Sequence, residues 1–190
     1  MCEKKRCPWP GKDQLYLLYH DTEWGVPVHD DMKMFEFLLL ETFQAGLSWL
    51  TILKKRENFR IAFNDFYYER SAQYGEEMIA ELMNDAGIIR NMLKIRAAVS
   101  NAQAYIRVRE EYGTFCRYLW SFTGNKQIMN NYSSLSELPA KTELSDRISK
   151  DLRNRGFKFT GSTVIYAHLQ ATGLVNDHLV SCFRYKEVQL

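Results

Sequence analysis

Residues 145–172 run SDRISKDLRNRGFKFTGSTVIYAHLQAT, and the fold is decided by how this stretch is read. Ser145 to Arg155 is a basic helix, with Ser145 as its candidate cap. Gly156-Phe157-Lys158-Phe159-Thr160-Gly161 is a hairpin-sized break, and Thr163 to Thr172 is the next helix, ended by Gly173. Lys150, Arg153, Arg155 and Lys158 surround the break against only Asp151. Glycines let a backbone come close to a partner, and a helix N-terminus offers free N–H donors. Two readings stay open, a solvated basic face or an element that docks phosphate.

Helical periodicity continues outward from this stretch. Met92, Ile95, Val99, Ala102 and Ile106 form one stripe at steps of three and four. Met32 to about Gln44 is apolar on more than one face, which predicts a central buried helix ended near Gly46. Leu47 to Lys55, Glu76 to Ala86 and Thr114 to Phe122 read as further helices. Thr123 to Thr142 is polar, with Asn130, Asn131 and Pro139, and reads as a long surface excursion. No alternating strand, repeat or low-complexity tract stands out, so the expected class is all-α.

The chain has 190 residues, the size of one domain. Its parts are expected as an N-terminal segment 1–30, central helices 31–122, the excursion 123–143, the basic helix and hairpin 145–162, and a C-terminal segment 163–190. Hydrophobic residues make up 46% and charged residues 25%, which excludes a disordered or collagen-like chain. The run Phe37-Leu38-Leu39-Leu40 is far too short to span a membrane, and Met1-Cys2-Glu3-Lys4-Lys5-Arg6 is followed by no apolar signal region. A cytoplasmic protein with no membrane partner is expected. Net charge is only +2, so charge alone does not argue for nucleic acid.

Cys7, His20, His178 and Cys182 form a candidate tetrahedral ligand set near the two ends of the chain. Two thiolates and two imidazoles suit zinc, and four protein ligands would close its shell, making the site structural. His178 and Cys182 are spaced as one helical turn. The set lacks compact Cys-x-x-Cys pairs, so unrelated residues remain the alternative. Cys2 and Cys116 fall outside the set, Cys116 within an apolar helix. His20 with Glu23 is a second, weaker metal pattern that would be hydrolytic.

The N-terminal region is dense in aromatics, with Trp9, Tyr16, Tyr19 and Trp24, followed by Trp49. Glu41 is a lone acid amid Leu38-Leu39-Leu40-Glu41-Thr42-Phe43-Gln44. It faces solvent, caps another element, or lines a pocket. In a pocket with tryptophan and tyrosine it would suit a flat cationic ligand. Lys54-Lys55-Arg56 is a second basic cluster, just beyond Trp49.

These features fall within a series of blocks that resembles the 3-methyladenine DNA glycosylase I family, among the helix–hairpin–helix DNA glycosylases. The blocks are Cys7-Pro8-Trp9, Tyr19-His20-Asp21-Thr22-Glu23-Trp24-Gly25-Val26-Pro27, Gln44-Ala45-Gly46-Leu47-Ser48-Trp49 and Leu53-Lys54-Lys55-Arg56-Glu57-Asn58. Then come Asp85-Ala86-Gly87-Ile88-Ile89-Arg90, Leu119-Trp120-Ser121-Phe122, Arg155-Gly156-Phe157-Lys158-Phe159 and Gly173-Leu174-Val175-Asn176-Asp177-His178.

The resemblance implies two helical lobes with a cleft, and one structural zinc on Cys7, His20, His178 and Cys182. It implies that Glu41 is the catalytic carboxylate, in a base pocket with Trp9, Tyr16, Tyr19 and Trp49. Gly46 and Leu47 would approach the gap left by a flipped-out base, Leu47 as a wedge. Lys158 and Gly161 would meet the DNA backbone. The implied reaction is release of N3-methyladenine from double-stranded DNA by a monomeric enzyme without lyase activity, with the free base as product. Asp177 occupies the broad region where related glycosylases place an aspartate, but it is expected to cap the last helix. The family usually has Glu-Gly-Gln-Gln-Ala-Gly where this chain has Glu41-Thr42-Phe43-Gln44-Ala45-Gly46, and that change is expected to bear on pocket shape. No C-terminal DNA-binding extension is expected after Cys182. Competing readings are a glycosylase for another alkylated base such as N7-methylguanine, and a non-catalytic module that binds damaged DNA.

Overall fold

The computed structural model describes residues 4–189, so Cys2 lies outside the described residues. In chain order the helices are α1 (Gln14–Thr22), α2 (Asp31–Gln44), α3 (Trp49–Ala62), α4 (Tyr68–Ser71), α5 (Glu76–Asn84), α6 (Met92–Tyr112) and α7 (Phe115–Ser121). After strand β1 (Ile128–Met129) and a 3-10 turn (Leu135–Glu137) come α8 (Glu143–Asn154), α9 (Ser162–Ala171), strand β2 (Val175–Asn176) and α10 (Arg184–Glu187).

Helices begin where a side chain can accept from the unpaired N–H groups of the first turn. Asp13, Asp30, Ser48, Asn91, Thr114 and Thr142 do so for α1, α2, α3, α6, α7 and α8. The cap of α8 is therefore Thr142, not Ser145 as the sequence suggested. Ser145 stands inside the first turn, where its hydroxyl accepts from the Thr142 N–H.

Helix α2 is the interior axis. Every residue from Met34 to Phe43 is buried, including two acids, Glu36 and Glu41. The helix packs against α3, α6, α7 and α9, as a helix apolar on all sides must. The long α6 packs against α4, α5 and α7 as well, and α8 and α9 pack on each other. No helix among the described residues is long and apolar enough to cross a membrane.

The chain is mostly helical, in line with the expected class, and among the described residues adds one short pair of strands. Strands β1 and β2 pair in parallel, Ile128 with Val175 and Met129 with Asn176. Two residues per strand leave no alternation to read in a sequence. This pairing ties the 123–143 segment to the chain after α9, although none of its residues is buried. Gly173 ends α9 at φ +71°, and a Cβ there would lie 2.5 Å from the backbone of Val26 and Pro27. Only glycine lets the end of α9 rest on the loop after α1, which sets the two ends of the chain side by side.

Candidate active site and metal centre

A cavity of about 260 Å³ opens among α1, α2, α3 and α9. Trp9, Tyr16, Tyr19, Trp24 and Trp49 line it, with Glu41 and Gln44 from α2. Leu135 and Leu138 reach it from the 123–143 segment, and Ala167 and Gln170 from α9. The rings brace one another. Trp9 meets Tyr16 at 4.8 Å and Trp24 at 5.0 Å edge-on, and Tyr19 meets Trp49 at 5.5 Å.

Of the sequence alternatives for Glu41, the pocket-lining one matches its position. The residue is 4% exposed, and its Oε2 has no hydrogen-bond partner. Burial pushes its carboxyl up to about 8. The indole N–H groups of Trp9 and Trp49 are also buried without partners. Buried polar groups are normally paired. An unpaired carboxyl and two unpaired N–H donors on one aromatic wall leave partners for a ligand to supply. Burial, and then the charge of Glu41, raises the Tyr16 hydroxyl, and burial raises that of Tyr19 far above its ordinary value.

Thr42 and Phe43, where this chain departs from the family pattern, do not line the cavity. Phe43 packs on Phe59 and Phe63, and Thr42 donates to Leu39 O. The departure alters the core behind the cavity, not its wall.

Gly46, Leu47, Lys158 and Gly161 lie at the surface, outside the cavity lining. Gly46 turns the chain at φ +82° after α2, and Leu47 beside it is 41% exposed. Lys158 is on the α8–α9 connection, and Gly161 precedes α9 with no side chain capping that helix. The basic clusters are less free than the sequence suggests. Arg155 binds Glu111 and Asp151. Lys55 donates to Ala86 O and Gly87 O, and Lys54 meets Asp13 at 3.4 Å. Arg56 binds both carboxylate oxygens of Glu23, at 2.7 and 2.8 Å, and Glu36 at 2.8 Å. The Arg56–Glu23 pair, with Lys33, walls a larger cleft of about 900 Å³. Each of Glu23, Lys33 and Arg56 in it is already matched by an opposite charge.

The ligating atoms of Cys7, His20, His178 and Cys182 lie within 4.8 Å of one another, all buried. The Sγ of Cys182 is 3.5 Å from His20 Nε2 and 3.6 Å from His178 Nδ1, and Cys7 Sγ is 3.6 Å from the same Nδ1. A tetrahedral ion with ordinary Zn–S and Zn–N bonds would space sulfur and nitrogen by about 3.5 Å. The outward ring nitrogens are occupied, His178 Nε2 by Trp24 O at 3.0 Å and His20 Nδ1 by Asp21 at 2.8 Å. That arrangement turns the other nitrogen of each ring inward as a free ligand. The Cys182 thiol is pulled down, chiefly by its hydrogen bond with Cys7, and the same bond pushes Cys7 up. The donor set fits one metal ion. Glu23 takes no part in it, which removes the hydrolytic His20–Glu23 pattern. His178 and Cys182 are not on one helix, as their spacing suggested. They stand on the irregular chain between β2 and α10.

The cluster backs directly onto the cavity. Trp9 lies 5.3 Å from the His20 ring, and Trp24 lies 4.5 Å from that of His178. Asp177, expected as a helix cap, caps nothing. It is buried and accepts from Asn130, Tyr166 and Gln170. Sequence reasoning missed Gln170, Leu135 and Leu138, as well as two buried polar residues of α6, Lys94 and Asn101. The only sequence signal for the last two was a polar residue within the apolar stretch of a helix.

Such a cavity offers aromatic faces and an unpartnered buried acid, a lining that suits one flat, polar ring. Comparison with known proteins agrees. The family description "Methyladenine glycosylase" matches residues 9–185. DNA-3-methyladenine glycosylase 1 of Escherichia coli is 48% identical over 181 residues, covering 95% of this chain and 97% of that one. A crystal structure of 3-methyladenine DNA glycosylase I superposes with a TM-score of 0.91 at 47% identity, covering 94% of this chain and 98% of the other. The Staphylococcus aureus enzyme, in a structure described as the basis of 3-methyladenine recognition, gives 0.91 at 39% identity, covering 94% and 95%. The chain belongs to the methyladenine glycosylase family.

Proposed function

We propose that this protein is a DNA repair glycosylase that hydrolyses the N-glycosidic bond of N3-methyladenine in alkylated double-stranded DNA. The observation that carries this reading is Glu41, buried in an aromatic cavity with an oxygen that nothing in the protein satisfies. The relatives are named for the same base.

The lesion is turned out of the stack into the cavity, a step that costs a few kcal/mol and least for a damaged base. N3-methylated adenine in DNA is a cation. Held between Tyr19, Trp49 and Trp9, it gains cation–π attraction, and its charge draws the Glu41 carboxyl back to its ionised form. Ionised Glu41 accepts from the amino edge of the base and offsets positive charge that develops on the sugar. Water adds at the sugar carbon and loses a proton. The glycosidic electron pair goes to the departing base, which leaves neutral, and an abasic site remains. A leaving group already activated in this way needs little acid catalysis, so the protein's task is selection and positioning. No lysine lines the cavity, which supports a monofunctional enzyme without lyase activity.

The α8–turn–α9 unit serves as the helix–hairpin–helix element, where Lys158 and the N–H groups after Gly161 meet phosphate. Gly46 and Leu47 approach the gap left by the base. The whole chain acts as one monomeric domain of two lobes with the cavity in the cleft. One structural zinc on Cys7, His20, His178 and Cys182 clips the ends together and touches no substrate.

The test is release of free bases from methylated DNA, separated by chromatography, for wild type and Glu41→Gln. Wild type is expected to free 3-methyladenine above other methylated purines, and Glu41→Gln to lose most of that activity. A wild type that binds alkylated duplex yet frees no base would leave a damage-binding module instead.

A further inference from the structure

Helix α6 touches both segments that the proposed function assigns to DNA, through two buried polar side chains. Lys94 stands in its first turn, and its Nζ donates to Phe43 O at 2.8 Å and Ala45 O at 2.5 Å. These carbonyls lie at the C-terminal end of α2, where the helix leaves its last acceptors unpaired. They come just after Glu41 and just before Gly46. Asn101 stands further along α6, 2% exposed, and meets the backbone of Lys158 twice. Its Nδ2 donates to Lys158 O at 3.0 Å, and its Oδ1 accepts from Lys158 N at 2.7 Å. Two opposed bonds fix both the position and the orientation of that peptide. The next residue, Phe159, sits at φ +56°. A non-glycine residue persists in that region only where its surroundings hold it there.

From Lys94 to Asn101 is two helical turns, so both side chains leave α6 on nearly the same face, about 10 Å apart along its axis. We propose that α6 is the spacer that sets the distance between the loop 45–48, which follows the cavity residues of α2, and the hairpin 156–161. Lys94 and Asn101 are its positioning residues. The proposal rests on the glycosylase reading above. A flipped nucleotide stays covalently joined to the phosphates on either side. The grip on the backbone and the cavity that receives the base must therefore be held at one separation, and small errors in such a separation are expensive in rate. Neither Lys94 nor Asn101 lines the cavity, so each acts only through the segment it holds.

The test compares wild type with Asn101→Ala, Asn101→Asp, Lys94→Met and Lys94→Arg in three measurements. These are affinity for undamaged duplex, affinity for free 3-methyladenine, and the single-turnover rate of base release from alkylated duplex. Asn101→Ala is expected to bind undamaged duplex about tenfold more weakly, since the hairpin must then be ordered on binding. Its affinity for the free base stays within about twofold. Asn101→Asp, which keeps the acceptor for the Lys158 N–H, falls between Asn101→Ala and wild type. Lys94→Met is expected to keep duplex affinity within about twofold and to release base about tenfold more slowly, and Lys94→Arg to recover most of that rate. The proposal is overturned if Asn101→Ala binds duplex as tightly as wild type. It is equally overturned if either variant shifts all three measurements together, which marks general damage to the fold. Should Lys94→Met not fold, Lys94→Arg and the two Asn101 variants still decide. A wild type that releases no base overturns the functional reading alone, because the duplex arm uses undamaged DNA and no chemistry.

Discussion

Asp177 holds Gln170 in the cavity wall: Gln170 Nε2 donates to its carboxylate at 2.8 Å, and Tyr166 and Asn130 donate to the same group. All these partners are internal, so Asp177 is expected to act as a buried brace and not as a catalyst facing the substrate. Asp177→Asn keeps the shape and turns one acceptor into a donor. The expected result is a fall in base release of less than about tenfold, with a drop in Tm of several degrees, since each kcal/mol is worth about 2–4 °C at this size. A loss of about a thousandfold or more, typical of removing a catalytic group, would reinstate Asp177 as a participant.

The role proposed for Glu41 sets function against stability. Its carboxyl titrates near 8 in the folded protein against 4.5 in an ordinary setting, because burial disfavours the charged form. Between those values the folded state retains a proton that the unfolded state has lost, so stability falls as pH rises through that window. The penalty is absent below pH 4.5 and reaches about 4–5 kcal/mol by pH 8. Glu41→Gln removes it. Thermal melts should show the variant gaining on wild type steadily from pH 5 to pH 8, while its base release is lost. Parallel melting curves at both pH values would refute the buried, neutral state of Glu41.

Metal is expected to bind at one ion per chain. Zinc chelation or Cys182→Ser should lower Tm, because a metal held only by the folded state stabilises by mass action. Since His20 and His178 press on Trp9 and Trp24, affinity for free 3-methyladenine should fall together with metal content. Titration of stripped protein with zinc, followed by tryptophan fluorescence, checks both effects. Unchanged base affinity in metal-free protein would separate the two sites.

Arg56 is the centre of the ion network in the larger cleft. It holds Glu23 down to about 2, its hydrogen bonds and charge outweighing the opposing effect of burial. A carboxylate lowered in this way contributes stability at neutral pH that is lost as pH falls from about 4.5 toward 2. Arg56→Met leaves Glu36, 4% exposed, with weaker partners, and is expected to destabilise by about 3–5 kcal/mol near pH 7. Chemical denaturation at pH 7 and pH 3 should show that loss shrinking in acid. A change of less than about 1 kcal/mol at pH 7 would mean that Lys33 and Arg60 suffice.

Much of the helical order was legible because it is local. The stripe from Met92 to Ile106, the apolar run of α2 and the breaks near Gly46 and at Gly173 depend on spacing and backbone freedom alone. Glu41 was legible as an acid where burial demands a reason, and Cys7, His20, His178 and Cys182 as a set of compatible donors. What escaped depends on distant partners. Ile128 and Met129 pair with residues 47 positions away, so a polar-looking segment carries Leu135 and Leu138 into the cavity wall. Arg56 looks like one of three exposed bases until Glu23 and Glu36 meet it from 33 and 20 positions away. Thr42 and Phe43 sit beside Glu41 in sequence, but successive residues of a helix point about 100° apart, and theirs point into the core.

Cys7 and His178 are 171 positions apart and meet at 3.6 Å. Closing a flexible loop of that length costs roughly 4–5 kcal/mol in chain entropy, before any contact compensates. Contacts of such long range form late in folding. The cluster can gather only when the helices between its two ends have already shortened the path, and only after Cys182 has been synthesised. The aromatic wall that leans on it is thereby complete only once both ends of the chain have met.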